Sequence, residues 1–329
     1  DRVWLNDGDG VFTDSGQSLY NYQSTDVDFA DFDLDGDLDA YVSNQNQGNK
    51  VWLNDGSGSF TDSGLSLSNQ SSYGADLGDI DGDGTIDAIV ASESYYNYNK
   101  VWLNDISTGV MNLSGTATIA EYQEALRSVT YHSTSEDPTA TPITFTDSGQ
   151  DLRYGTSYDN SWDVKLGDFD GDGDLDAFEA NYNEGNRVWL NDGSGSFTDS
   201  GQNLNQGGSY NNSSGVDLAD LDGDGDLDAL VANEYDYSKV WLNNGSGVFS
   251  YTSQNIDHGH YSYDVELADF DGDGDMDAFF ANYHGQANRV WLNDGSGSFT
   301  YTQNLGNRYS WEVDVADLDG DGDLDAFVA

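Results

Sequence analysis

The residues best equipped for chemistry in this chain are aspartates at a fixed spacing. The nonapeptide Asp-x-Asp-x-Asp-Gly-x-x-Asp occurs six times, starting at Asp31 (DFDLDGDLD), Asp79 (DIDGDGTID), Asp168 (DFDGDGDLD), Asp220 (DLDGDGDLD), Asp269 (DFDGDGDMD) and Asp317 (DLDGDGDLD). Carboxylates at positions 1, 3 and 5 followed by Gly at 6 match the first half of an EF-hand calcium loop. A hard divalent ion wants six to eight oxygens, and the chain must turn sharply at position 6 to supply them. Gly36, Gly84, Gly173, Gly225, Gly274 and Gly322 hold that position. The expected ligand set is Asp31, Asp33, Asp35, Asp37 and Asp39, then Asp79, Asp81, Asp83, Thr85 and Asp87, then Asp168, Asp170, Asp172, Asp174 and Asp176. It continues with Asp220, Asp222, Asp224, Asp226 and Asp228, with Asp269, Asp271, Asp273, Asp275 and Asp277, and with Asp317, Asp319, Asp321, Asp323 and Asp325. Position 7 is expected to offer its backbone carbonyl, which explains why Thr85 is acceptable there. The bidentate Glu of an EF-hand, at position 12, is replaced by Val42, Val90, Val231, Phe280 and Val328, so the Asp at position 9 takes the closing role. Glu179, the exception at position 12, reads as a tolerated substitution rather than an extra ligand. Four or five like charges within nine residues repel unless a cation neutralises them, so the expected cofactor is Ca²⁺, about one per loop.

The elements that must position these loops are short strands. Each loop is followed by an apolar run (DAYVS, DAIVA, DAFEA, DALVA, DAFFA, DAFVA) and preceded by an alternating one (DVDFAD, GADLGD, DVKLGD, GVDLAD, DVELAD, EVDVAD). A recurring VWLN run, a Gly-rich turn and, in most units, an FTDSG-like run complete each unit, giving four strands, A to D. The first aspartates of the loops are 48, 89, 52, 49 and 48 residues apart. A four-stranded unit recurring at that period predicts an all-β fold, a β-propeller of antiparallel blades. Six blades are expected, with seven as the alternative. The chain opens on strands C and D and closes on A and B, so the ends are expected to pair as one split blade and shut the ring.

The long interval holds an expected insertion at 106–143 in one C–D hairpin. Thr118-Ile-Ala-Glu121 forms a capping box, and Ile119, Tyr122, Leu126 and Val129 fall on one helical stripe, predicting a strand–helix–strand unit. Residues 1–329 otherwise read as a single domain.

The repeated D-[FIL]-D-[GL]-D-G-x-[LIM]-D-A motif and its strands resemble the FG-GAP/VCBS family of calcium-binding propeller repeats, found in integrin α-subunit heads, some lectins and large bacterial surface proteins. The resemblance covers all but roughly 106–143, and LSGTATIAEYQEALRSVTY in that insert is similar to a piece of a cadherin-like repeat. It implies calcium binding and extracellular recognition or scaffolding.

Composition narrows the partners. The formal net charge is −51, from 61 acidic against 10 basic residues, and 29 of the acids lie in the six loops. Such a surface disfavours nucleic acid and anionic membranes. There is no cysteine, so metal rather than disulfide is the expected staple, and loops of this kind fill most readily outside the cell. No apolar run is long enough to cross a bilayer, and a monomer is expected.

Up-and-down strand order places the A–B loops and C–D turns on one face and the B–C and D–A connections on the other. The second face is rich in Tyr and Asn, and the residue six before the first Asp is Tyr73, Trp162, Tyr263 or Trp311 in four units. With Tyr182, Tyr235 and Tyr283 of the B–C loops, these are the candidate ligand-binding residues. An aromatic ring stacks on the apolar face of a pyranose while neighbouring amides and carboxylates take its hydroxyls. The competing assignment packs these rings between blades. The VWLN tryptophans (Trp4, Trp52, Trp102, Trp189, Trp241, Trp291) are expected between blades, and the base before each offsets acidic neighbours. His258, His260 and His284 fall in neighbouring loops, but no nucleophile motif accompanies them, and no enzyme is expected. The expected function is adhesion or recognition, with a glycan or cell-surface protein as partner. A structural scaffold is the alternative, and a polysaccharide-degrading enzyme the third reading.

Overall fold

The computed structural model describes residues 2–6, 12–19, 23–67, 71–92, 98–104, 143–153, 160–205, 212–257, 261–306, 309–316 and 324–328, and every regular element among them is a strand. The first pair is β1 (Arg2–Asn6) and β2 (Phe12–Ser18). The first full blade follows as β3 (Gln23–Ala30), β4 (Asp39–Gln45), β5 (Lys50–Asn54) and β6 (Phe60–Asp62). The second is β7 (Ser72–Gly78), β8 (Asp87–Ser92), β9 (Asn99–Asn104) and β10 (Phe145–Leu152). The third is β11 (Ser161–Gly167), β12 (Asp176–Asn181), β13 (Arg187–Asn191) and β14 (Phe197–Asp199). The fourth is β15 (Ser213–Ala219), β16 (Asp228–Asn233), β17 (Lys239–Leu242) and β18 (Ser250–Tyr251). The fifth is β19 (Ser262–Ala268), β20 (Asp277–Asn282), β21 (Asn288–Asn293) and β22 (Phe299–Leu305). The last pair is β23 (Val313–Ala316) and β24 (Asp325–Val328).

Each full blade is an antiparallel meander in sequence order, A to D. The second strand is buried along its whole length in the last four blades and nearly so in the first, which explains its unbroken apolar sequence. The core lies between blades. Phe32, Tyr41 and Val51 of the first blade pack against Ala75, Ala88 and Val90 of the second, and equivalent clusters recur at the next three junctions. Trp52, Trp102, Trp189, Trp241 and Trp291 sit in or against these apolar clusters, as their strand position predicts.

The blade count corrects the sequence expectation: there are five four-stranded blades, not six or seven. Among the described residues β24 pairs with β23 alone and β1 with β2 alone, so the split blade is not joined. The reason is that each half buries its apolar side on a complete neighbour instead. Val3 and Leu19 pack with Ala40, Val42 and Trp52, while Val313, Val315 and Val328 pack with Phe279, Ala281 and Val290. The free edge of β24 stays open, with Phe327 64% exposed where the equivalent Phe279 is 4%. Strands β9 and β10 pair as the two arms of one hairpin. The chain between them, with the expected helix of the insertion, lies outside the described residues.

Three polar devices lock one blade to the next. Asp26, Asp76, Asp163, Asp217 and Asp264 each accept the backbone N–H of Ala75, Leu166, Val216, Leu267 and Val313 respectively, at 2.6–2.9 Å, so innermost strands are tied by carboxylates. The VWLN asparagines Asn104, Asn191, Asn243 and Asn293 donate from Nδ2 to carbonyls one blade back, at Phe32, Ile80, Phe169 and Leu221. A glutamine in or just after the outer strand reaches forward. Gln202 donates to Gly247 O (2.6 Å) and accepts from Phe249 N–H (2.9 Å), a pattern repeated by Gln17, Gln150 and, in part, Gln254.

Glu179 belongs to the same polar framework. It is 2% exposed, and it accepts from Asn99 Nδ2 (2.6 Å), from the Ser161 hydroxyl and from Trp189 Nε1 (2.6 Å). It is therefore a joint between the second and third blades rather than an idle substitution. Trp102, Trp241 and Trp291, whose blades carry Val or Phe at this position, leave the indole N–H without a partner.

Replacing Gln202 by Ala removes both bonds and strands the Phe249 N–H at a packed junction. We expect a loss of about 1–3 kcal/mol in urea denaturation. An unchanged midpoint and slope would show that the latch is ornamental.

Candidate functional site

The A–B loops fold as their spacing requires. In the first five, position 6 glycine takes φ of 91–101°, a left-handed value that a side chain resists, and its N–H caps the position 1 carboxylate at 3.0 Å. Position 9 does the most. Asp39, Asp87, Asp176, Asp228 and Asp277 are fully buried, and one oxygen of each accepts the position 2 N–H (2.9–3.0 Å). The other oxygen accepts the N–H of the VWLN asparagine (2.7–2.8 Å). One carboxylate thus closes the loop and pins it to strand C.

Ligand oxygens of positions 1, 3 and 9 converge within 4.8 Å in four loops: Asp31, Asp33 and Asp39; Asp79, Asp81 and Asp87; Asp168, Asp170 and Asp176; Asp220, Asp222 and Asp228. In the fifth the converging set is Asp269, Asp271 and Asp273. Position 5 joins the cluster only there, although in all five loops its carboxylate accepts the position 7 N–H at 2.8–3.0 Å. Position 7 side chains lie apart from the clusters. A Cβ on Gly56, at the C–D turn, would fall 2.4 Å from Asp37 Oδ2, and Gly193, Gly245 and Gly295 face Asp174, Asp226 and Asp275 in the same way. Glycine is required in those turns so that the carboxylate can lie over them. Residues 317–323 of the sixth loop lie outside the described residues.

These sets suit a hard cation: all donors are oxygen, no base intervenes, and the buried Asp79 Oδ1 has no hydrogen-bond partner. Five clusters are present among the described residues, against the six expected.

At the opposite face the candidate aromatics converge. Trp162 stacks on Tyr73 (ring centroids 5.6 Å) and Tyr182 (4.8 Å) and leans on Tyr263 (5.9 Å). Tyr263 meets Tyr283 (4.9 Å) and Trp311 (4.8 Å), and Tyr283 meets Trp311 (4.5 Å). Tyr235 joins through Tyr261 (4.5 Å) and His284. All seven rings singled out from the sequence belong to this one network, and none belongs to the apolar clusters between blades. Tyr261, Tyr309 and His284 were not among them, and only the loop composition hints at their place. His258 and His260 lie outside the described residues.

A β-bulge aims three of these rings, Tyr73, Trp162 and Tyr263. In all five blades the pairing of strand A with strand B shifts by one residue near its start. The residue it frees is Thr25, Tyr73, Trp162, Ser214 or Tyr263, and a bulge re-aims such a side chain. Where the residue is not aromatic, its hydroxyl bonds to the next blade: Thr25 to Ser72 O (2.8 Å) and Ser214 to Ser262 O (2.6 Å).

Below the rings the innermost strands line a cavity of about 210 Å³, whose wall carries Asp26, Asp28, Asp163, Asp264, Glu266, Glu312 and a single base, Lys165. Registers place Asp28, Asp76, Lys165, Asp217, Glu266 and Asp314 at equivalent positions of six successive A strands. The alternating runs carry this signal in the sequence, but only the arrangement of blades around a common axis shows that they share one channel.

A family model described as FG-GAP-like repeat matches residues 31–90, 168–231, 220–280 and 269–328. The chain belongs to the FG-GAP-like repeat family. Among solved structures, this FG-GAP-like propeller is similar to an Agrocybe aegerita lectin in a structure describing recognition of non-reducing terminal N-acetylglucosamine. That match has 19% identity and a TM-score of 0.52, over 100% of this chain and 79% of that one. It is also similar to BBS1N crystallised with ARL6DN, at 10% identity and a TM-score of 0.55, over 99% and 80%. The V. cholerae biofilm matrix protein Bap1 matches at 18% identity and a TM-score of 0.42, over 79% of this chain and 35% of that one. No curated protein matches the chain. Among the described residues no helix is long and apolar enough to cross a membrane.

The electrostatics of both faces of the FG-GAP-like propeller are under strain. Burial, with repulsion from positions 3 and 5 added, pushes Asp39 and Asp87 up to about 7, and Asp176 and Asp228 up to about 6. In the channel, burial and neighbouring acids push Asp28 and Glu266 up to about 8 and Glu312 up to about 7. Lys165 loses solvation there, but Asp163, Asp76, Asp217 and Asp28 hold it well above its ordinary value.

Carboxylates raised in the folded state bind more protons folded than unfolded between about pH 4 and 8, so metal-free stability falls as pH rises through that window. In excess chelator the melting temperature is expected to climb by about 5 °C or more from pH 7.5 to 5. In millimolar Ca²⁺ the trend should flatten or reverse, because protons then compete with the ion. Superimposable pH profiles in the two conditions would contradict this.

Proposed function

We propose that this propeller is a calcium-stiffened extracellular recognition module that binds glycans through the aromatic mouth of its central channel. The observation that carries the reading is the continuous array from Tyr73 to Trp311, set by bulges at the channel entrance rather than packed between blades. Rings such as Trp311 (54% exposed) and Tyr235 (55% exposed) offer faces or edges to solvent beside carboxylates and amides, as a sugar requires. The lectin among its structural neighbours, described as recognising a terminal N-acetylglucosamine, supports the class of ligand. Calcium fits the clusters of hard oxygens on the other face, whose five loops would be neutralised and whose A and B strands would be held together by it. The role is binding, not catalysis, with the ring acting as a monomer.

A scaffold role is the second reading, favoured by how nearly 170–198 repeats in 271–300. A glycan array in millimolar Ca²⁺, repeated with Trp162→Ala and Trp311→Ala, separates the two. Binding weakened by about tenfold or more in both folded variants supports recognition at the mouth. A folded wild-type protein that binds no glycan would favour the scaffold.

A further inference from the structure

The cavity beneath the rings has a chemical bias that the rings alone do not. Six carboxyl groups and one ammonium line it, so acids far outnumber bases. Two of its polar groups are also unmet: Asp28 Oδ2 is a buried acceptor with no donor, and Trp162 Nε1 is a buried donor with no acceptor. A buried carboxylate oxygen without a donor is costly, and protein structures seldom leave one so. The unused acceptor sits where electron-rich ring faces also gather, and both features attract the same kind of group, a cation bearing N–H bonds.

We propose that the channel mouth takes an ammonium-bearing ligand, with an amino sugar as its class, an inference that rests on the mouth being the glycan-binding face. The sugar ring stacks on Trp162 or Trp311, and its ammonium points into the cavity toward Asp28 and Glu266. At about 210 Å³ the cavity is smaller than the roughly 300–1,000 Å³ of sites for drug-sized ligands, so one ring or a smaller cation fills it. Lys165 does not pre-empt the site. Asp163 acts on it most strongly, and Asp76, Asp217 and Asp28 share in holding its charge, so this one base is divided among many acids.

The test is calorimetry at pH 7 in millimolar Ca²⁺ with three probes: a glucosamine trisaccharide with free amines, its fully N-acetylated counterpart, and methylammonium. The free-amine sugar should bind about tenfold tighter than the acetylated one, and methylammonium should compete with it. Glu266→Gln and Asp28→Asn should weaken the amine about tenfold and leave the acetylated sugar unchanged. Equal affinity for the two sugars, with no competition from methylammonium on the unaltered protein, overturns the inference while the glycan reading stands. If none of the three probes binds, the inference falls, and with it the reading of the mouth as a sugar site for this class.

Discussion

Everything in this propeller hangs on one buried carboxylate per blade, the last aspartate of the loop. It is fully buried, yet it makes two charge-assisted bonds to backbone N–H groups of different segments, so it fixes loop closure and the position of strand C together. Burying it raises its proton affinity, and in four of the five loops oxygens of positions 1 and 3 stand within 4.8 Å of it. At neutral pH a proton or a cation relieves that gathering of charge. Closing the blade and concentrating negative charge are thus two sides of one constraint.

The same economy of charge recurs around the channel. Strand A must present its channel face to five or six copies of itself, and this chain fills that face with aspartates. They are used first as inter-blade ties, accepting N–H groups that the bulge and the ring geometry leave unpaired. What remains is an acidic lumen capped by aromatic rings. The aspartate-loop face and the ring face sit at opposite ends of the same strands, so stiffening one end sets the spacing of rings at the other.

Much of this was legible in the sequence, and the failures have physical causes. The loops, the four strands per unit and the placement of the tryptophans follow from spacing and alternation, which are local. The shared neighbourhood of Tyr73, Trp162, Tyr182, Tyr235, Tyr263, Tyr283 and Trp311 follows once strand order fixes which connections share a face. The number of blades does not, because nothing local says whether β24 prefers the edge of β1 or the flank of β20. Glu179 was misread because a single Glu among valines looks like noise until Asn99, Ser161 and Trp189 are brought around it. The glutamine latches and the acidic channel escaped for the same reason: each residue is ordinary alone and acquires its role only from the next blade.

The central claim is that divalent cations complete the loops. Its most direct test is a calorimetric titration of Ca²⁺ into chelator-stripped protein, run at pH 7 in two buffers of different ionisation enthalpy. Five or more ions per chain should enter with release of protons, since clusters centred on Asp39, Asp87, Asp176 and Asp228 give up protons as the ion enters. No uptake by the folded protein, or uptake whose heat does not depend on the buffer, would contradict it.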